Sequence, residues 1–237
     1  MNLIKNYGLL LLVILVTIML PILYRQLSGY MLLEGYSNEI NRHLLYQPAT
    51  LLVTLILLFS FYATRKSVFL SYFRIGNSTS TFLAEPYIGI RPKPATTWSK
   101  AGWEWAVLIS LITALSIYFQ FYRKGLPSAA SFLSVLPYVI VFSIINSFVE
   151  ESISRLGVII ALKGVLNDRS IAIVSGVLFG AVHYFGTPGG WSGVLLAGFL
   201  GWFLAKSILE TKGIFWAWLI HFIQDVIIML ALFSNSQ

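Results

Sequence analysis

The sequence predicts an all-α fold, a polytopic bundle of about seven transmembrane helices with a polar site at membrane depth. Two observations lead to this fold class. Of the 237 residues, 57% are hydrophobic and 11% are charged, whereas a soluble domain has about 25% charged residues. Apolar windows of about 20 residues, the length that crosses a bilayer, also recur along the chain. The lipid bilayer is therefore expected to surround most of the molecule.

The apolar windows give seven predicted spans, at residues 3–23, 49–63, 105–121, 132–162, 170–185, 193–209 and 213–233. The first is expected to be an uncleaved span, because no small-residue cleavage site follows it. Lys and Arg concentrate in the loops that are cytoplasmic if the N-terminus lies inside, which places the C-terminus outside. These basic loops explain the net charge of +7, so no nucleic-acid partner is expected. The absence of Cys excludes disulfides and thiolate chemistry.

The chain is expected to form one integrated membrane domain with two parts. Residues 1–130 hold N-terminal spans and a polar cytoplasmic loop, to which the sequence assigns no function, and residues 131–234 hold the candidate catalytic core. Small residues at one face of a helix allow close approach of a neighbour in a membrane, so two spans of the core are expected to pack tightly. Their small residues recur every four positions, at Ala172, Gly176 and Gly180, and at Gly193, Ala197, Gly201 and Ala205.

The fourth span contains the most polar element of the core, the segment FVEESISR at residues 148–155. Ionisable groups at membrane depth are costly and are read by default as functional. Glu151 and Arg155 are four residues apart, so they share a helix face and suit an ion pair. Glu150 is rotated by about 100° from Glu151 and is left to face something else. Asn146 lies one turn before Glu150 and is expected to reach it with a hydrogen bond.

The depth of each polar residue in the bilayer decides whether its side chain can contact Glu150. If the fourth helix continues through residues 157–162, then Glu150, His183 and His221 all fall in the middle of a bilayer about 30 Å thick. His221 and Asp225 are four residues apart and share a helix face. The sequence therefore predicts one intramembrane site that contains all four side chains.

Two hydrolytic chemistries fit two His residues and a carboxylate around a cavity. One is metal-assisted hydrolysis with His and Glu ligands, and the other is metal-free hydrolysis in which Glu150 is the general base for a water molecule. A buried His can equally serve as an interhelical hydrogen-bonding group, and a Glu–Arg pair can be a structural contact. His43 falls in a predicted outer loop and is expected to be exposed to solvent.

The core also resembles the CAAX protease and bacteriocin-processing family (CPBP, or Abi) of intramembrane proteases. The resemblance covers residues 132–233 and rests on three motifs in the family's order, Glu150-Glu151-x-x-x-Arg155, Phe179-x-x-x-His183 and His221-x-x-x-Asp225. Family members commonly have an aromatic residue before the Arg and Gly directly after it, where this chain has Ser154 and Leu156. This departure bears on the local helix geometry, because every motif residue is present.

The resemblance implies a division of catalytic roles. Glu150 and His183 would activate the attacking water. His221 and Asp225 would stabilise the oxyanion of the tetrahedral intermediate, which needs either a neutral Asp225 or a charged His221.

Glu151 and Arg155 would then hold the site together. The family is described both as metalloproteases and as glutamate-dependent enzymes without metal, so the cofactor stays open between a divalent metal such as zinc and none. The candidate metal ligands are Glu150, His183 and His221.

We therefore expect a multi-pass endopeptidase of a bacterial cell membrane, whose partners are the lipid bilayer and a peptide or membrane-anchored protein substrate. Peptide maturation and bacteriocin self-immunity are the roles that the resemblance suggests, and prenylated CAAX substrates are less expected in that setting. The alternatives are a non-catalytic membrane scaffold or immunity protein and an ion-coupled transporter. Transport is weakened because the sequence contains no recognisable inverted repeat.

Overall fold

The computed structural model describes residues 3–123, 125–187 and 189–235, and these residues form eight α-helices. The helices are α1 (Leu3–Gln26), α2 (Asn38–Tyr72), α3 (Trp98–Ile117), α4 (Ala129–Glu150), α5 (Gly157–Leu162), α6 (Asp168–Val182), α7 (Gly190–Thr211) and α8 (Phe215–Ser234). Short π-helical and 3₁₀ turns extend several of them. The predicted all-α polytopic fold class is confirmed.

Six helical segments of the described chain are long and apolar enough to cross a membrane, against about seven predicted. The predicted span at residues 170–185 accounts for the difference in the number of spans. It forms α6, whose 15 residues extend only about 22 Å at 1.5 Å per residue. A 3₁₀ turn, His183–Phe185, follows α6 directly.

The second predicted span is longer than its apolar window. Residues 49–63 lie inside α2, which has 35 residues and begins after the N-cap Ser37, whose side chain accepts a hydrogen bond from the Ile40 amide. The N-terminal part of α2 faces the protein interior and carries buried polar side chains. Their polarity lowers the hydropathy of the window and hides the true start of the helix.

The fourth helix continues to the depth that the site requires. Residues 129–162 form one unbroken helical segment, as predicted, but its middle is not α-helical. The segment Glu151–Leu156 is a π-helical turn between α4 and α5. Such turns occur mostly as single insertions in α-helices, often at functional sites, and this one contains Glu151 and Arg155.

The predicted tight packing of the small-residue spans is confirmed for α6 and α7. A Cβ added at Gly176 would lie 2.8 Å from the carbonyl oxygen of Gly198, and one at Gly180 would lie 2.6 Å from that of Val194. Only glycine therefore fits at this crossing. The contact holds the C-terminal end of α6, where His183 follows, against α7.

The polar loop between α2 and α3 is ordered and packs on the end of α7. Glu210 accepts hydrogen bonds from the Trp98 indole at 2.8 Å and from the Leu83 amide at 3.1 Å. Glu85 forms an ion pair with Lys206, with 3.4 Å between the nitrogen and the carboxylate oxygen. These contacts fix the loop across one end of the helical core.

Candidate active site

Four of the predicted site residues line one cavity of about 320 Å³ between the helices. They are Glu150 from the end of α4, His183 from the end of α6, and His221 and Asp225 from α8. The other two predicted residues, Glu151 and Arg155, are fully buried and do not line it. The structure therefore divides the six residues into a cavity group and a supporting group.

The supporting group is an ion pair on the π-helical turn. Arg155 Nη2 lies 3.3 Å from Glu151 Oε1. Arg155 Nη1 donates a hydrogen bond to Ser154 Oγ at 2.7 Å, and Ser154 Oγ donates to the Glu150 carbonyl oxygen at 2.6 Å. Ser154, which stands at a position where the family commonly has an aromatic residue, thus connects Arg155 to the backbone of Glu150.

Glu151 connects this ion pair to the cavity through His221. The two groups are hydrogen-bonded, with 2.7 Å between His221 Nδ1 and Glu151 Oε1. Because the carboxylate accepts, His221 Nδ1 carries the proton. The other ring nitrogen, Nε2, lies 3.6 Å from Glu150 Oε2 and 3.5 Å from Asp225 Oδ1. His221 is therefore oriented by Glu151 and presents Nε2 to the two cavity carboxylates.

Asn146 bridges the two cavity carboxylates. Its side-chain amide nitrogen donates to Glu150 Oε1 at 3.2 Å and to Asp225 Oδ2 at 3.1 Å. The first of these contacts is the one predicted from the one-turn spacing. It leaves Glu150 Oε2 without a hydrogen-bond partner in the described part of the chain, although this oxygen is buried.

The ring of Phe179 contacts two histidines and one arginine of the site. The guanidinium carbon of Arg155 lies 3.4 Å from the ring centroid of Phe179. The His183 and His221 rings lie 4.1 Å and 5.7 Å from the same centroid. His183 also makes a 2.8 Å hydrogen bond from Nδ1 to the Phe179 carbonyl oxygen, so its Nε2 is the nitrogen left to accept a proton.

The candidate metal ligands do not form a metal-binding set in this structure. No group of three or more His, Asp or Glu side chains in the described ranges has an arrangement that could hold a metal ion. The polar atoms of Glu150, His183 and His221 are instead engaged with protein groups or open to the cavity.

The expectation that His43 is exposed in a loop is wrong. His43 lies in α2, is buried and lines the same cavity as Glu150. Gln47, one turn later, is completely buried and donates to Asn146 Oδ1 at 3.4 Å. The sequence does carry a signal for these residues, since His43, Gln47, Thr50 and Thr54 recur at helical spacing and predict a polar stripe facing the interior.

This architecture defines a class, a multi-pass helical membrane protein with a buried carboxylate–histidine site. Residues 130–227 match the Rce1-like family, described as type II CAAX prenyl endopeptidase Rce1-like. Comparisons with curated proteins and with solved structures give no match.

The matched segment contains all three motifs, so this part of the chain is similar to the CAAX protease (CPBP) family. The resemblance stated from the sequence is confirmed, and the matched family indicates a protease that acts on a protein or peptide substrate.

Proposed function

We propose that the chain is an intramembrane endopeptidase in which Glu150 is the general base for an attacking water. The observation that carries this proposal is the asymmetry of the Glu150 carboxylate. Oε1 accepts a hydrogen bond from Asn146, whereas Oε2 has no hydrogen bond among the described residues, lies 3.6 Å from His221 Nε2 and belongs to a side chain on the cavity wall. A carboxylate held through one oxygen and with an unused acceptor at the other is suited to take a proton from water.

His183 assists Glu150 from the opposite element. Its Nδ1 is occupied by the Phe179 carbonyl, so its Nε2 can accept a hydrogen bond from the same water. Two acceptors from different helices orient the water for attack, which removes much of the entropic cost of the reaction.

His221 supplies the donor for the oxyanion. Its Nδ1 proton is given to Glu151, so donation from Nε2 requires the doubly protonated imidazolium. Asp225 accepts from Asn146 through Oδ2, and its Oδ1 faces His221 Nε2 at 3.5 Å, where an imidazolium would donate to it. Of the two donors that the sequence left open, this geometry favours a charged His221 over a neutral Asp225.

The reaction then balances with water as the only co-substrate. The water oxygen bonds to the carbonyl carbon while its proton moves to Glu150, and the carbonyl electron pair becomes an oxyanion next to His221. The carbon–nitrogen bond then breaks, and the proton passes from Glu150 to the leaving amine. Glu151 and Arg155 take no part in bond changes, since they hold His221 and the helix turn in place.

The cavity wall supports a peptide or membrane-anchored substrate. Apart from the polar site it is mostly lined by apolar side chains such as Leu20, Ile109, Leu196 and Ile228. We infer that a hydrophobic peptide segment or a lipid-modified peptide enters it from the membrane of a bacterial cell. Peptide maturation or bacteriocin self-immunity would be the biological setting.

Purified protein in liposomes tests this function with two internally quenched peptides, one farnesylated CAAX peptide and its unmodified counterpart. We expect cleavage by the wild type and a loss of at least about 100-fold in Glu150→Gln, because general base catalysis contributes about 10²–10⁴-fold. Equal melting temperatures would show that the variant is folded. Cleavage at the wild-type rate by Glu150→Gln would overturn the assignment, and the ratio between the two peptides reports whether a prenyl group is recognised.

A further inference from the structure

A chain of hydrogen bonds enters the site from α2, outside the segment that matches the family. Gln47 Nε2 lies 3.1 Å from His43 Nδ1 and donates to Asn146 Oδ1 at 3.4 Å. Asn146 in turn donates to Glu150 and to Asp225. Three consecutive polar side chains thus connect α2 to both cavity carboxylates.

In the structure the Gln47 amide nitrogen lies at both of these contacts, and it donates to both when His43 Nδ1 is the unprotonated ring nitrogen. An amide nitrogen carries two protons and accepts none, so in this arrangement both Gln47 protons are used, one towards His43 Nδ1 and one towards Asn146 Oδ1. Turning the Gln47 amide over would place its carbonyl oxygen against the Asn146 oxygen. With its nitrogen turned this way, Gln47 favours the orientation in which Asn146 presents its oxygen towards α2.

Asn146 consequently presents both of its own protons to the site. One binds Glu150 Oε1 and the other binds Asp225 Oδ2, so a single amide separates two carboxylates that would otherwise repel each other. The reversed amide would place a third oxygen between them. The orientation of Asn146 thus determines which oxygen of Glu150 is hydrogen-bonded and which is left beside His221.

Four aromatic rings surround and immobilise His43, the first residue of this series of hydrogen bonds. Its ring lies 5.2 Å from Phe233, 5.4 Å from Tyr24, 5.5 Å from Phe142 and 6.1 Å from Tyr46, measured between centroids. The ring is buried, and Nδ1 faces the Gln47 amide. A histidine held this way offers a fixed acceptor that an aliphatic residue of similar size lacks.

We propose that His43 and Gln47 are positioning residues that orient the Asn146 amide, and through it the Glu150 and Asp225 carboxylates. The hydrogen bonds from His43 through Gln47 and Asn146 to the two carboxylates are called the relay below. Its effect on catalysis rests on the proposed function, but its existence can be tested without any activity. The proposal assigns a role to α2 in a site whose motifs all lie in the C-terminal part of the chain.

The relay is tested first without any substrate, by infrared spectroscopy of protein in liposomes. The carboxylate stretching bands of Glu150 and Asp225 are assigned from their disappearance in Glu150→Gln and in Asp225→Asn. We expect Gln47→Met, which keeps the length of the side chain but has no donor, to shift both bands. The matched control Gln120→Met, at an exposed position in the turn after α3, should leave them in place. Unshifted bands in Gln47→Met would overturn the relay.

The effect of the relay on catalysis is tested by measuring the kinetics of cleavage of the quenched peptide that proves to be a substrate. Losing a hydrogen bond between neutral groups corresponds to about a 2- to 10-fold loss, which we expect in the kcat of Gln47→Met with KM unchanged. Gln47→Glu should lose more, because it places an acceptor against Asn146 Oδ1. His43→Asn, whose Oδ1 takes the place of Nδ1, should retain most activity, whereas His43→Leu should match Gln47→Met.

The outcomes separate the relay from the proposed function. An inactive Glu150→Gln together with a fully active Gln47→Met would overturn the relay and leave the endopeptidase intact. A fully active Glu150→Gln would overturn the endopeptidase mechanism, while the infrared bands would still decide the relay. Equal losses in His43→Asn and His43→Leu would show that His43 acts by packing alone and would also contradict the proposal.

Discussion

At the scale of single residues, two adjacent glutamates have different environments, which supports the different roles proposed for them. The Glu150 side chain is 17% exposed and lies at the cavity, whereas Glu151 is 0% exposed and pairs with Arg155 and His221. Their rotation about the helix axis was predictable from helix geometry. The four-residue spacing between Glu151 and Arg155 predicted that Glu151, rather than Glu150, is the supporting residue.

Removing the charge of Glu151 is expected to destabilise the fold strongly. Glu151→Gln leaves Arg155 buried without a counter-charge, and breaking a buried pair in this way costs about 3–5 kcal/mol. The matched control is Glu104→Gln, whose pair with Lys100 is exposed, with 3.9 Å between the charged atoms, and is worth about 0–1 kcal/mol. Thermal unfolding in detergent measures both, and equal melting temperatures for the two variants would contradict the assigned role of Glu151.

Chelation is expected to leave peptide cleavage unchanged. The three candidate ligands do not adopt a metal-binding arrangement, and the proposed water activation needs only Glu150 and His183. Activity is measured after prolonged dialysis against a strong zinc chelator and again after zinc is restored. Loss on dialysis with recovery on adding zinc would refute the metal-free mechanism.

The sequence revealed the motif residues but not the side chains that contact them from α2. The motifs are recognisable because their spacing places pairs on one helix face. His43 and Gln47 were missed because the predicted span began at residue 49, after both of them. A search for helical periodicity among polar residues, rather than for apolar windows, would have placed them inside the helix.

At the scale of helices, the crossing of α6 and α7 positions His183. The four-residue spacing of small residues was enough to predict this contact. The π-helical turn was not predictable, because its six residues have an ordinary helical composition and the extra residue per turn is set by how Glu151 and Arg155 pack.

Gly180→Ala is expected to separate α6 from α7. The added methyl would lie 2.6 Å from a backbone oxygen of α7, an overlap that costs about 1–3 kcal/mol and that would displace His183, three residues later. Gly8→Ala is the matched control, because nothing lies within 4 Å of its added methyl and Ala favours a helix. Melting temperature and cleavage rate should both fall for Gly180→Ala only, and a fall of equal size in Gly8→Ala would contradict this account of the crossing.

At the scale of the whole molecule, the cavity is built from both parts of the chain. The family match covers residues 130–227, yet Tyr24, His43 and Tyr46 from α1 and α2 and Ile109 from α3 also line the cavity. The sequence assigned no function to residues 1–130, because none of the motifs lies there and the polar stripe of α2 does not show which segment it packs against. The division into two parts therefore describes the motifs better than it describes the site.

A protein split into two fragments is expected to show that activity depends on both parts of the chain. Residues 128–237 contain all seven motif residues but lack the cavity wall supplied by α1, α2 and α3, so we expect no cleavage from this fragment alone. Co-expression with residues 1–127 should restore activity, because the two pieces can pack in the membrane. Accumulation of each fragment is followed by immunoblotting. Full activity of the C-terminal fragment alone would contradict a shared cavity.

The central claim is that Glu150 carries peptide-bond hydrolysis in the membrane. The most direct measurement compares membrane and secreted peptides from cells that contain wild-type protein with those that contain Glu150→Gln at equal abundance. New peptide termini that depend on the wild type are the predicted result, and they would identify the substrate. Identical peptide profiles with an intact phenotype would contradict the claim and leave a non-catalytic scaffold, whereas identical profiles with a lost phenotype would point to transport.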